Sequence, residues 1–354
     1  MTLYGFHASH EQITPGNLLA AAVRAERAGF DAAMSSDHFS PWSERQGESG
    51  FAWSWLGAAL QATRLPFGVV TAPGQRYHPA ILAQAIGTLA AMYPGRFWAA
   101  LGTGEYSNEH ITGDGWPRKE VRNARLRECV DVIRALLAGA EVTHDGLVTV
   151  DRAKLWSRPA RMPALVGAAV GIETARWCAE WADGLITVGA PHDHLRRMVD
   201  AYREAGGRGP LRLQVHVSYA ADEEEALRIA HDQWRTNVFA PPVCWDLELV
   251  EHFEEAAKHV PRRPCTASCG SPRTRGSTRP GSRSTRTSAS SRSSCTTWGR
   301  SRTSSWTSSA ARCCPSCAGV RREAQPHRRP VVEERGRLLP RRGDLLRRQR
   351  RRLR

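Results

Sequence analysis

From residue 3 to residue 236 the chain alternates between short apolar runs and stretches of helical spacing, with one interruption. The apolar runs are 3–7, 32–36, 67–70, 97–101, 164–168, 184–188 and 211–218. The helical stretches that follow them are 17–28, 51–63, 79–92, 122–137, 173–181, 193–205 and 223–236. An apolar run of about five residues stopped by glycine is too short for a helix and reads as a buried strand. In the helical stretches, Leu126, Val130, Ile133 and Leu137 fall on one face, as an amphipathic helix requires. Pro79 opens its stretch at the position where a missing N–H costs nothing. The interruption, residues 142–150, reads as a hairpin turning at Asp145-Gly146. Strands alternating with helices call for a parallel sheet, and eight such units over ~250 residues make a (β/α)8 TIM barrel. A doubly wound sheet is the second reading. No strand here leads into Gly-x-Gly-x-x-Gly, and the Gly102-x-Gly104 pair lacks the third glycine.

In such a barrel the chemistry lies just past the carboxyl ends of the strands. Two strand ends carry groups suited to it. Run 97–101 breaks at Gly102-Thr103-Gly104 and delivers Glu105; the glycines let the backbone approach a ligand or take a positive φ. Run 32–36 leads into Asp37-His38, with Trp42 close behind. Either stretch alone reads equally well as a helix cap and an ordinary loop. Two in one chain, each behind a strand, point to a site.

Charge divides the chain. From residue 261 onward there are 25 Arg, no Lys and four acids, a net of +21, whereas residues 1–260 carry a net of −6. The overall +15 therefore belongs to the C-terminal part, and the first 260 residues have the balance of an ordinary, slightly acidic domain. Cys129 and Cys178 sit in apolar helical patterns, where buried free thiols are usual and fit a reducing compartment. No apolar run reaches membrane-spanning length and no signal-peptide pattern opens the chain. The expected location is the cytoplasm.

At these strand ends the residues carry a resemblance. His7-Ala-Ser-His-Glu11-Gln12, Ser36-Asp37-His38-Phe39-Ser40-Pro41-Trp42, Arg76-Tyr77-His78-Pro79-Ala80 and Gly102-Thr103-Gly104-Glu105 with Asn108-Glu109 occur in the order and spacing of the luciferase-like monooxygenase superfamily of flavin- and F420-dependent oxidoreductases. Within it they look most like the group around F420-dependent glucose-6-phosphate dehydrogenase. The first segment also resembles a branch of that group that uses an ordinary flavin, so FMN is the expected cofactor and coenzyme F420 its alternative. The resemblance implies hydride transfer between a small organic substrate and the flavin ring. It assigns His38 the removal of a proton from the substrate, Glu105 a proton held for the ring, and Trp42 the wall that steadies developing charge. Glu11 is implied as a pocket acid. Asp37, Gly104 and Asn108 are implied as cofactor contacts. Val69-Val70 matches a place where the family carries a non-proline cis peptide, a bond that costs ~3 kcal/mol and normally marks function. Val170, Gly171 and Thr174 are implied as the phosphate-binding turn of the fifth unit, although only Gly171 of a family glycine pair is present. A homodimer, and a flavin reductase or nicotinamide donor, are the implied partners. The lysine that holds the sugar phosphate in the dehydrogenase group has no counterpart in Val188-Gly189-Ala190-Pro191-His192, which argues against glucose 6-phosphate. No metal site is expected.

Residues 261–354 contain no Phe, Tyr, Met, Ile, Asn or Lys and are dominated by Ser and Arg. Three readings stand. An Arg-rich arm would hold nucleic acid nonspecifically. A metal module around Cys313-Cys314-x-x-Cys317 lacks a partner pair. The third is GC-rich coding sequence in the wrong frame: Cys295-Thr296-Thr297-Trp298-Gly299 can be coded so that the neighbouring frame reads Leu-His-His-Val-Gly. On that reading the eighth unit is lost, the tail is disordered, and the first and seventh strands keep open edges. The competing function class is a non-catalytic flavin-binding remnant or an Arg-rich nucleic-acid binder.

Overall fold

The computed structural model describes residues 2–220 and 222–261, together with the backbone of 269–270 and 291–298. In chain order the elements are β1 (Leu3–Ala8), α1 (Pro15–Arg27), β2 (Ala32–Ser36), α2 (Ala52–Ala62), β3 (Phe67–Thr71), α3 (Pro79–Met92), β4 (Phe97–Leu101), α4 (Tyr106–Glu109) and α5 (Lys119–Ala138). Then come β5 (Val142–Asp145), β6 (Thr149–Ala153), β7 (Ala164–Ala168), α6 (Ile172–Cys178), β8 (Leu185–Val188), α7 (His192–Glu204), β9 (Leu211–Ser218) and α8 (Glu223–Trp234). Two short helices, α9 (Val243–Asp246) and α10 (Val250–Ala257), and the strands β10 (Cys269–Gly270) and β11 (Ser291–Trp298) follow.

All the expected strands and helices are present, most within two residues of their expected ends. The helix starts show why. His78 accepts from Ala80 N at 3.2 Å ahead of Pro79. Asp222 accepts from Glu225 N at 2.9 Å ahead of three glutamates in the first turn of α8, where side-chain oxygens and negative charge both favour a helix start. β5 and β6 form the expected antiparallel hairpin, outside the main sheet.

The main sheet runs β9-β11-β1-β2-β3-β4-β7-β8, every pairing between barrel strands is parallel, and β8 also pairs with β9. The circle is therefore closed by eight strands, an α/β TIM barrel. This corrects the expectation of open edges on the first and seventh strands. Residues 291–298 pair with β1 from Leu3↔Arg292 to Phe6↔Cys295, and with β9 from Leu211↔Ser291 to Ser218↔Trp298. A ladder needs only backbone N–H and C=O groups, and Ser-Arg-Ser-Ser-Cys-Thr-Thr-Trp holds no Pro or Gly to interrupt it. The remaining expectations for the tail (disorder, nucleic-acid binding, a shifted reading frame, and no eighth helix) lie outside the described residues.

Two layers of apolar side chains hold the barrel. Outside the sheet, Leu18, Leu56, Leu60, Leu82, Ile86, Leu126 and Ile133 pack helices against strands. Inside it, Met34, Ala100, Val166 and Ile186 fill the interior with Trp98 packed against them. Trp98 lies across Gly68, where an added Cβ would fall 2.0 Å from the ring, so only glycine admits the indole there. Among the described residues no helix is long and apolar enough to cross a membrane, and no cluster of His, Cys, Asp and Glu could hold a metal. Cys129 and Cys178 are buried free thiols, their pKa pushed up by burial to about 12.

Candidate active site

A cavity of about 250 Å3 opens at the carboxyl ends of the strands. It is lined by Glu11, Asp37, His38, Trp42, Val70, Gly104, Glu105, Asn108, Val170 and Thr174, all of them read from the sequence. Of the remaining two, Val69 is fully buried in the sheet and Gly171 is not part of the lining.

The centre of the cavity is an imidazole between two carboxylates. His38 Nδ1 lies 3.1 Å from Glu11 Oε1, and His38 Nε2 lies 3.5 Å from Glu105 Oε2. The ring of Trp42 meets His38 edge to face, centroids 5.2 Å apart. The two acids occupy different environments. Glu11 is buried, which would raise its pKa, but the His38 charge and the hydroxyls of Ser36 and Ser9 outweigh that and bring it down to about 2. Glu105 is raised, first by desolvation and then by the charges of Glu11 and Glu109, against the opposing pull of His38. Glu11 is therefore an anion, and the Glu105 carboxyl is held above the usual carboxylate range. The ring is thus oriented with Nδ1 toward the ionised Glu11 and Nε2 toward Glu105.

Local chain geometry holds these groups. The Asn108 side chain braces both loops: Oδ1 accepts from Phe39 N at 2.8 Å and Ser40 N at 3.2 Å, and Nδ2 donates to Glu105 at 3.2 Å. Gly104 has φ +81°, and a Cβ there would fall 2.9 Å from the Glu109 side chain, so the turn that delivers Glu105 requires glycine. The Asp37 carboxylate accepts from Trp53 Nε1 (3.1 Å), Thr71 Oγ1 (2.7 Å) and Tyr77 OH (3.0 Å), and Arg76 donates to its backbone carbonyl at 2.7 Å. That carboxylate is only 1% exposed. It pins the loop that carries His38, and its bonds are already made within the protein.

One expectation changes. The cis peptide among the described residues is Pro241–Pro242, not Val69–Val70. Val69 and Val70 pair regularly with β2 and β4, and a strand paired on both sides leaves no room for an irregular peptide. Gly171 is extended, with φ −118° and ψ 153°, and no atom lies within 4 Å of a Cβ placed there, so its backbone does not require glycine.

Sequence reasoning gave no role to Arg76, Lys119, Gln214 or His216. Arg76 follows β3, donates from its backbone to Glu109 at 2.8 Å and sets its guanidinium between Glu109 and Asp37; the strand-end rule could have found it. Arg212 stacks 4.3 Å over Trp98 inside the barrel, and Gln214 and His216 line the cavity. A polar residue at every second position of Leu-Arg-Leu-Gln-Val-His is the period-2 signal of an inward polar face. Burial holds the His216 pKa down to about 4 against the pull of Glu11, so this ring is neutral. Lys119 carries no such signal.

The donor set suits a flat ring beside a carboxyl of raised pKa. Val70, Gly102, Gly104 and Ala168 offer small or apolar surfaces, Glu105 and His38 stand beside them, and the Lys119 amine faces the same space.

The profile described as luciferase-like monooxygenase matches residues 1–267. The chain is 38% identical over 238 residues to the F420-dependent glucose-6-phosphate dehydrogenase of Nakamurella multipartita, covering 64% of this chain and 70% of that one. It is 38% identical over 271 residues to the enzyme of the same name from Kribbella flavida, covering 73% and 80%. A solved F420-dependent secondary alcohol dehydrogenase in complex with an F420-acetone adduct matches with a TM-score of 0.70 and 31% identity, over 76% of this chain and 85% of that one. With the closed barrel and the paired acids at its mouth, these similarities show that the chain is an oxidoreductase belonging to the luciferase-like monooxygenase family.

Proposed function

We propose that the protein is an F420-dependent dehydrogenase that oxidises the hydroxyl of a small, uncharged alcohol. The observation that carries this reading is the Glu11–His38–Glu105 array, with one acid held ionised and the other raised. F420 replaces the FMN expected from the first segment, because relatives at 31–38% identity bear F420 in their names.

When bound, the deazaflavin supplies a two-electron acceptor for hydride. His38 Nε2, its tautomer set by Glu11, takes the proton of the substrate hydroxyl. Glu105, its pKa raised by burial, lines the same cavity and would be the proton-carrying group for the bound ring. Trp42 and Trp234 form apolar walls that exclude water. Gly104, Val170 and Thr174, which line the cavity, would hold the cofactor.

The substrate class follows from the charges. Among the described residues the Lys and Arg side chains that line the cavity are Arg76 and Lys119. Arg76 is engaged by Asp37 and Glu109, and Lys119 stands on β4's side of the mouth. The corner formed by β1, β2 and β9 holds neutral His216 and Gln214 instead of a phosphate-binding cation, which favours an unphosphorylated hydroxyl compound.

Fluorescence titration of the purified chain with F420 and with FMN tests the cofactor, followed by F420 reduction with secondary alcohols and with glucose 6-phosphate. F420 should bind more tightly than FMN and be reduced by an uncharged alcohol. Tighter FMN binding, binding of neither cofactor, or preference for the sugar phosphate would overturn the reading.

A further inference from the structure

Lys119 opens α5, and its amine turns into the cavity. Nζ donates to Thr103 Oγ1 at 2.8 Å and stands 5.3 Å over the ring of Trp245. Neither contact carries a negative charge. Among the described residues no carboxylate forms an ion pair with this amine within 4.0 Å, although Arg45, Arg76, Arg134 and Arg235 each have one. A second cation lies nearby: Arg122 sits 4.0 Å over Trp116 and reaches Asp246 at 3.9 Å. Burial, with Arg122 acting in the same direction, lowers the Lys119 pKa to about 8. A half-buried ammonium without a counter-ion is an unfavourable arrangement that an anionic ligand relieves.

Its place in the barrel says which ligand. Thr103 follows β4, and Ala169, Val170 and Thr174 follow β7, the next strand in the circle; all line the cavity together with Lys119. His38 and Glu11 follow β2 and β1, two to four strands from β4 and β7 in the circle, while Glu105 shares the loop after β4 with Thr103. The cation therefore serves the part of a bound molecule remote from the reacting hydroxyl. Trp245 belongs to α9, which Asp246 anchors to Trp116 Nε1 at 2.8 Å, so the wall behind the amine is held in place.

We infer that Lys119, with Thr103 at its side, is the anion anchor of the cofactor site and takes the phosphodiester of the deazaflavin side chain. This rests on the F420 reading above. The cofactor carries two kinds of anion, its phosphodiester and the carboxylates of its glutamate tail, and both would satisfy an ammonium.

The test is fluorescence titration of the full chain and of Lys119→Gln and Lys119→Arg with three ligands: the riboflavin-level deazaflavin without phosphate, the phospholactyl form without glutamates, and the polyglutamylated cofactor. The unmodified protein should prefer the phospholactyl form over the phosphate-free one by roughly tenfold or more. Lys119→Gln should abolish that preference and leave the affinity for the phosphate-free ligand unchanged, and Lys119→Arg should keep most of it. An unchanged preference in Lys119→Gln overturns the assignment, as does a loss seen only with the polyglutamylated form, which would make the anion a carboxylate. If the unmodified protein binds none of the three, the F420 reading itself fails. Binding of all three with no difference among the variants refutes the Lys119 role alone.

Discussion

The Glu11 carboxylate and the His38 imidazole meet at 3.1 Å although they follow different strands, β1 and β2. Neighbouring parallel strands bring them together: Gly5 to Ala8 pair in register with Ala32 to Ser35, so the loops that leave both strands emerge side by side. The pair turns Nδ1 of His38 toward Glu11 and leaves Nε2 on the side of Glu105.

Glu11→Gln should lower the rate of alcohol oxidation by roughly 10²–10⁴-fold, because a neutral amide no longer fixes the tautomer or balances the imidazolium. Cofactor affinity should stay within about threefold, since Glu11 serves the ring of His38. Single-turnover kinetics alongside fluorescence titration read both. A rate within a few-fold of the unmodified protein would show that the pair has no catalytic part.

Glu105→Gln should keep the shape of the cofactor site and lower turnover by roughly 10²–10⁴-fold. His38→Ala should do similar damage to alcohol oxidation. The effect of His38→Ala should be smaller when reduced cofactor passes hydride to an acceptor, because no hydroxyl proton then has to be removed. Unchanged turnover in Glu105→Gln would mean that another group supplies the acid.

The two acids also predict opposite pH effects on stability. Glu105 has a raised folded-state pKa, so its contribution is fully present below the ordinary carboxylate range and is lost as pH rises through the folded value. Glu11, brought down to about 2, contributes stability that is present above the ordinary range and lost as pH falls toward 2. Glu105→Gln should therefore gain thermal stability relative to the unmodified chain more at pH 8 than at pH 4. Glu11→Gln should show its larger deficit at pH 8. Melting curves at the two pH values check the signs, and a pH-independent difference in either variant would contradict the assignment.

Asp37 predicts a structural phenotype. Its carboxylate ties Trp53, Thr71 and Tyr77 together under the His38 loop. Asp37→Ala removes the acceptor and leaves three buried donors and the Arg76 cation without it, a loss of about 3–5 kcal/mol by analogy with broken buried ion pairs. Urea unfolding measures it. A cost below about 1 kcal/mol would mean that the loop is held chiefly by Asn108.

Closure of the barrel by β11 can be tested through the backbone. Ser294 pairs with Gly5 on one side and Gln214 on the other, so Ser294→Pro removes a ladder donor from a strand paired on both edges. It should cost at least ~1 kcal/mol, read as a fall in Tm of about 2–4 °C per kcal/mol. No change in Tm would place 291–298 outside the cooperative fold. Sequencing the coding DNA around codon 261 tests the shifted-frame reading directly: a one-base correction there should replace the Ser- and Arg-rich stretch with sequence of ordinary composition.

The strands and their ends were legible in the linear pattern. Runs 32–36, 97–101, 164–168 and 211–218 are strands over those same residues, because local apolar clustering and glycine stops decide where a buried strand begins and ends. His38, Trp42 and Glu105 were legible for the same reason: each lies a few residues past such an end. Tertiary structure decided what those groups do to one another. Glu11 and Glu105 are both glutamates in strand-end loops, and only their places in the closed barrel make one an anion beside His38 and the other a raised acid. Asn108 reads as a ligand contact in one dimension, and in three it lines the cavity and also braces both loops. Lys119 drew no reading from the sequence, and the fold turns it into the cavity, with no ion-paired carboxylate among the described residues. Strand positions depend on near neighbours in sequence; distances across a barrel depend on register and closure, which no short stretch of the chain specifies.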